Sequence, residues 1–214
     1  MVKIGTRAGR KTSALITNMD IPLGYAIGNT LELIEAINTL RGNGPSDLTK
    51  LCVSLAAEMA SLSLGIDFDE AKCRAENALF SGVAFKKFKE WVALQGADVT
   101  YADNTDKFEK ASYAYEIKAR SSGFIEKMDA EKIGIAAMEL GAGRKTKDDV
   151  IDFSAGIILS KKTGDEISSG DTLATLYTNN EPSLSISERL FLEAVTVSDA
   201  PKKSDTLIYK TIKE

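Results

Sequence analysis

Apolar residues recur at a helical period through the first hundred positions and at a two-residue period after about residue 110. Leu31, Ile34, Ile37 and Leu40 fall three residues apart and predict a helix over 29–40 with one buried face. Asn29 stands as its N-cap and Glu32 at the third helical position, a capping-box spacing, with Gly42 as the stop. The same reading gives helices from Ser46 to about Leu64 with Gly65 after it, from Asp67 to near Gly82 with Glu70 completing a second capping box, and from Val83 to Gln95. Phe85, Phe88, Trp91 and Val92 form a stripe at helical spacing in the last of these, which predicts a core-facing side. Residues 2–10 read as the final turns of a helix with arginines at its end, and a helix starting at Met1 without a cap reads as cut from something longer. Residues 11–18, KTSALITN, read as a short strand.

A polar connection follows over 96–110. Strands are then predicted at 112–120 and 123–128, a helix from an Asp129 cap to about Leu140 with Gly141 and Gly143 ending it, strands with turns at 163–165 and 168–171, a helix over 185–196 and a last strand over 206–212. The chain therefore divides near residue 105. Residues 1–104 are mostly helical with one strand, and residues 105–214 form a module of short strands and two helices, so the fold class is α/β of the α+β kind.

Composition narrows what this fold can do. The chain has 214 residues, 43% hydrophobic and 27% charged, enough for a core without metal or disulfide staples. A net charge of −4 argues against a general nucleic-acid partner, and no apolar run reaches the length of a membrane span, so neither nucleic acid nor membrane is expected and the protein reads as cytoplasmic. Cys52 and Cys73 fall in predicted helices and read as buried free thiols. Histidine is absent altogether, which removes the commonest general base and every histidine-dependent nucleophile from this chain's own chemistry.

The stretch MDIPLGYAIGNTLELIEAI places a glycine-bearing loop before a helix, a shape that often holds an ion. A phosphate loop needs a lysine, and residues 19–36 hold no basic residue but do hold Asp20, Glu32 and Glu35. A cation held by loop carbonyls and one carboxylate is the alternative, with Glu35 close enough to reach back towards the loop. A solvated glutamate beside a loop shaped only for packing is the plainer alternative. Lys3, Arg7, Arg10 and Lys11 read as solvated partners of a helix end.

The segments D-I-P-L-G-Y-A-I-G-N-T-L-E (20–32), AFKKFKEWVALQGAD, IGIAAMELGAGRKTKDDVID and GIILSKKTGDEISSGDTLATLYTN together resemble the pyrimidine-nucleoside phosphorylases, a family that includes thymidine phosphorylase. The resemblance runs over nearly the whole chain but only over the C-terminal half of the family's length. It implies that residues 1–104 are the C-terminal part of a truncated central α/β domain and residues 105–214 a C-terminal hammerhead module, barrel-sandwich-like. It implies reversible phosphorolysis of uridine- or thymidine-type nucleosides, with phosphate as co-substrate, in nucleoside salvage. The groups that hold phosphate and base belong to the N-terminal half, so no catalytic residue is assigned here and this chain alone is expected to be inactive. The resemblance further implies a potassium site with Leu23, Ala26 and Glu35 as ligands, incomplete in this chain, a separate N-terminal half as partner, and a homodimer in the full-length family. Thr30 in place of an alanine and Glu109 in place of a proline are the departures from the family pattern, and neither falls on a functional position.

Two other functions stay in view. KTGDEISSGDTLATLYTNN also resembles biotinyl and lipoyl carrier modules, yet Asn179 and Asn180 stand where the acceptor lysine would be. A non-enzymatic interaction module that complements a separate N-terminal half is the other.

Overall fold

The computed structural model describes residues 1–202 and 206–213; positions 203–205 and 214 of the second sequence segment lie outside the described residues. The chain forms two compact units. One comprises Met1–Asn18, Ile37–Val99 and the described part of Asp205–Glu214; the other comprises Met19–Ala36 and the described part of Thr100–Ser204. The glycine-bearing loop thus groups with the strand-rich second half of the chain, and the last strand groups with the helices of the first.

In the first unit, α1 (Val2–Arg7) leads into β1 (Ser13–Thr17). Helices α3 (Ser46–Leu64), α4 (Phe68–Phe80) and α5 (Val83–Leu94) follow as the periodicity predicts. α3 ends at Gly65, and Asp67 caps α4 by accepting from the Asp69 N–H. Glu70 does not close a capping box: its carboxylate pairs with Arg74 one turn on, at 2.6 Å. β9 (Ile208–Lys213) pairs antiparallel with β1, joining residues nearly two hundred positions apart. Glu58 of α3, only 5% exposed, holds this pair: it accepts from the Ser13 hydroxyl at 3.1 Å and meets Lys213 Nζ at 2.9 Å.

Two further sequence expectations fail in this unit. The aromatic stripe of α5 is not core, since α5 buries no residue and Trp91 is 58% exposed. Phe85, Phe88 and Trp91 instead lie against one another, with ring centroids 6.5 and 6.2 Å apart, and Arg41 covers the Phe85 ring at 5.0 Å. Helical spacing guarantees that such residues share a face, not that another element covers it. Cys52 and Cys73 are free but exposed rather than buried. At roughly 100° per residue, Cys52 lies almost opposite the face of α3 that buries Val53, Ser54, Ala57 and Glu58, and Cys73 points almost opposite Ala71.

The second unit holds β2 (Ala26–Ile27) and the first turns of α2 (Asn29–Leu40), whose last turn is counted with the first unit. The 96–110 connection contains a one-turn helix, α6 (Thr100–Asp103), and a 3-10 turn at Thr105–Lys107 started by Asn104. Then come β3 (Tyr113–Lys118), β4 (Gly123–Met128), α7 (Ala130–Ala137), β5 (Gly156–Leu159), β6 (Glu166–Ile167), β7 (Thr172–Thr178), α8 (Ser183–Ala194) and β8 (Val195–Ser198). α8 starts two residues before its predicted position, and the β-branched run Val195–Val197 takes over from it directly as a strand.

Two sheets result, ordered β2-β5-β7-β3 and β6-β4-β8. Every neighbouring pair within them is antiparallel. Both are open and pack with α7 and α8, which gives the mixed α+β fold expected from the sequence. Ile117, Ile125, Ile133, Leu140, Leu176 and Phe191 are all fully buried in their common core. α7 passes into a π-turn at Met138–Ala142, where Gly141 leaves helical geometry. The buried Thr178 and Ser187 hydroxyls donate to the carbonyls of Leu140 (2.7 Å) and Ala136 (2.9 Å), so the irregular helix end keeps partners inside the core. No helix among the described residues is long and apolar enough to cross a membrane.

Candidate functional site

The loop from Met19 to Gly28 is fixed by backbone contacts at both ends. The Asp20 carbonyl accepts from the Ala130 N–H at 3.2 Å, and the Tyr25 carbonyl accepts from Leu159 N–H at 2.8 Å as the loop joins β5. At its far end Gly28, with φ of +134°, lies against the backbone of Ala155 and Gly156, closer than any side chain permits. The N-cap of α2 sits at Gly28, one position before the residue the sequence suggests. The Glu32 carboxylate reaches back to the Gly28 N–H (3.0 Å), and the Asn29 amide donates to the Ala142 carbonyl at 2.9 Å. The Glu32 spacing is therefore used, but the capping acceptor role of Asn29 is not, because its side chain is drawn to the π-turn.

Glu35 does reach back to the loop. Its Oε1 accepts from the N–H groups of Tyr25 (2.9 Å) and Ala26 (3.2 Å), and its Oε2 lies where a Cβ on Gly24 would stand. Gly24 has φ of +69°, so both its backbone and the space beside it call for glycine. The two amides that an anion would use are already held by the protein's own carboxylate, and a second anion would meet Glu35 rather than a countercharge. Lys162 brings its Nζ within 5.1 Å of the Tyr25 ring centroid. Nothing in the local sequence pattern signals that approach, because Lys162 arrives from the strand turn after β5.

Of the three predicted ion ligands, Glu35 and Ala26 are in direct contact, and Leu23 precedes Gly24 in the same bend. Within a strand a residue's N–H and C=O point the same way, so the Ala26 carbonyl of β2 faces the side on which its N–H meets Glu35. One carboxylate and two carbonyls are hard oxygen donors but fewer than the six or so such cations take. The set fits part of a coordination shell. Among the described residues, no group of three or more His, Cys, Asp or Glu side chains is placed to hold a metal.

The strand tip at Asn179 is a clamp. Its Nδ2 donates to Asp152 Oδ2 (3.0 Å) and Ser154 Oγ (3.0 Å), while its Oδ1 accepts from the N–H and hydroxyl of Ser112 (2.8 and 2.7 Å). Burial pushes the Asp152 carboxyl up, but the hydrogen bonds from Ser154, Asn179 and Ala155 together outweigh it and hold the group below the usual carboxylate range. A carrier module needs a projecting lysine at such a tip; here a packed asparagine occupies it. The flanking turns are formed by Asp165, which accepts from Lys162 N–H, and Asp171, which accepts from Ser168 N–H.

A cavity of about 550 Å³ opens beside α8, lined by Tyr115, Glu181, Pro182, Leu184, Ser185 and Glu188. The Tyr115 hydroxyl donates to Glu188 Oε1 at 3.2 Å, and the negative charge of Glu188 pushes the phenol up. Two carboxylates at its wall make it a poor receptor for phosphate. The basic residues Lys3, Arg7, Arg10 and Lys11 are exposed, and Arg7 lies in the last turn of α1, as a partner of the helix end should.

Residues 124–198 match the pyrimidine nucleoside phosphorylase C-terminal domain family. Over 213 residues, 99% of this chain, the sequence is 42% identical to a pyrimidine-nucleoside phosphorylase of Geobacillus stearothermophilus, 49% of whose length is covered. Proteins of the same name from Staphylococcus epidermidis and Bacillus subtilis are 43% and 42% identical, again with 49% of their length covered. The chain spans about half the length of the curated relatives it matches, and the half it matches is the C-terminal one.

Proposed function

We propose, starting from a chain that belongs with the C-terminal half of the pyrimidine-nucleoside phosphorylases, that it supplies the scaffold half of an enzyme for reversible phosphorolysis of pyrimidine nucleosides. In that reaction inorganic phosphate attacks the anomeric carbon, the bond to the base breaks with its electron pair, and pentose 1-phosphate and free base result. Catalysis of this kind depends on cationic and donor groups that place phosphate and steady the departing base. The observation that carries the reading is the alignment of nearly all of this chain with half of each relative.

The chemistry of the chain agrees with a division of labour. It has no histidine, its loop amides are held by Glu35, and its cavity beside α8 is acidic. Phosphate and nucleoside are therefore assigned to the part of the enzyme that corresponds to the relatives' N-terminal half, and residues 1–214 by themselves are inactive. The loop carbonyls of Leu23 and Ala26 with the Glu35 carboxylate form this half's share of a potassium site. A bound cation there supplies positive charge beside the loop. The assembled protein is placed in the cytoplasm, as a homodimer. An interaction module without enzymatic role shares the same partner and differs only in what the assembly does.

The test is a phosphorolysis assay with uridine and thymidine, on the purified chain and on the chain co-produced with the N-terminal half of the Geobacillus relative. Turnover is expected only from the pair. Turnover by the chain alone refutes the division of labour, and a stable but inactive pair favours the interaction module.

A further inference from the structure

We infer that the exposed face of α5 is a self-association surface, on which a second copy of this chain lays its own α5 antiparallel. The surface lies wholly on one helix and does not depend on the function proposed above.

At about 100° per residue, Val83, Lys87, Glu90, Trp91 and Leu94 fall within a sector of about 100° along the 12 residues of α5. The apolar members of this sector stand out in solvent: Val83 is 59%, Trp91 58% and Leu94 85% exposed. Ala84, Phe85, Phe88, Lys89 and Val92, which are half-buried, lie beyond it. A helix packed along one side ordinarily turns polar residues outward on the other. Here three large apolar side chains share the outward stripe, the mark of a contact surface rather than of scattered single residues.

Two features select the occupant. The stripe holds one lysine and one glutamate, so it carries no net charge and offers little to an anionic membrane or a nucleic acid. It is also complementary to itself. Turned antiparallel about the midpoint between Phe88 and Lys89, two α5 helices set Val83 opposite Leu94 of the second copy and Lys87 opposite Glu90 of the second copy, and the twofold axis repeats each contact. Lys87 and Glu90, which pair with each other inside the helix, then join a network of four charges across the axis. A parallel arrangement sets Lys87 on Lys87 and Glu90 on Glu90, which like charge disfavours. Contact along one helix of this length is small, so the dimer is weak and forms with rising concentration.

Analytical ultracentrifugation of the full chain over a wide range of concentrations measures the association, and the emission of Trp91, the chain's one tryptophan, reports burial of the face. The parent is expected to dimerise with a blue shift of Trp91. Lys87→Glu and Glu90→Lys each place like charges across the axis, and each is expected to weaken self-association about tenfold with unchanged helical circular dichroism. An equimolar mixture of the two variants restores every opposite-charge contact between copies and is expected to associate as tightly as the parent. Dimerisation that neither variant weakens, or variants that mixing does not rescue, overturn the α5 contact. A parent that stays monomeric throughout also overturns it, and a blue shift of Trp91 on phosphatidylserine vesicles in that monomer assigns the face to a membrane instead.

Discussion

Gly28→Ala separates close backbone packing from ordinary glycine strain. Gly28 holds φ of +134°, and a Cβ built there would stand 2.5 Å from the Ala155 carbonyl oxygen and 2.9 Å from Gly156 Cα. Both are backbone atoms of the segment entering β5, so no side chain can swing aside. A non-glycine residue in this region costs about 1–3 kcal/mol. Forcing the start of α2 away from β5 adds about 1–3 kcal/mol, as for an overpacked core. The total of about 4 kcal/mol is a large share of a stability of about 5–15 kcal/mol. At about 2–4 °C per kcal/mol for a chain of this size, the melting temperature should fall by roughly 10 °C. Gly170→Ala is the control, because Gly170 also has positive φ (+93°) but nothing within 4 Å of its Cβ position. It should lose only the backbone part, about 1 kcal/mol and a few degrees. Thermal unfolding followed by circular dichroism, with amide exchange of Ile157 and Leu159 as a local readout, measures both. Equal, small losses for the two variants would show that the close approach of Gly28 to Gly156 carries no energy.

Other outcomes follow from particular contacts. Lys213→Ala takes the cation from the buried Glu58, leaving it the Ser13 hydroxyl, and should cost about 3 kcal/mol, whereas Glu58→Gln keeps an acceptor for Ser13 and should cost about 1 kcal/mol; urea unfolding ranks the two, and the reverse order would contradict the burial argument. Asp152 has its folded pKa below its unfolded value, so its contribution is present above the unfolded carboxylate range and is lost as pH falls through the folded pKa. Asp152→Asn should therefore be less stable than the parent near neutral pH and lose less on acidification, which melting curves between pH 7 and pH 3 would reveal. Burial pushes the Cys52 thiol up although the residue is exposed, so it should react with a disulfide reagent in the folded protein but more slowly than free cysteine at neutral pH. On the proposed ion site, potassium should stabilise the assembled pair against heat relative to potassium-free buffer and Glu35→Gln should remove that gain; an undiminished potassium effect in the variant would sink the ion assignment.

What was legible in the sequence was what neighbours within a few positions decide. Caps, stops and apolar periods placed α3, α4 and α5, and the Asp129 cap placed α7, because each depends on hydrogen bonds and side-chain spacing inside one turn or two. The acidic character of the 19–36 loop and the absence of histidine were equally local, since composition alone carries them. The two-residue strand β2 was not legible, because Ala26 and Ile27 are extended only by pairing with Ile158 and Ile157 far along the chain.

Which faces meet was likewise invisible in one dimension. The stripe of α5 has the spacing of a core helix, yet the helix buries no residue and Trp91 stays exposed; Cys52 and Cys73 have the character of core residues, yet sit opposite the buried faces. Asn29 lost its capping role to Glu32 and Gly28 because the Ala142 carbonyl, released by the π-turn, lies within its reach. The sequence by itself determined most of the elements and the acidic character of the loop. The tertiary structure alone decided that Glu35 takes the amides of Tyr25 and Ala26, that Lys162 approaches Tyr25, and that β1 finds β9, since each joins residues whose distance in space is set by the packing of whole elements rather than by their spacing along the chain.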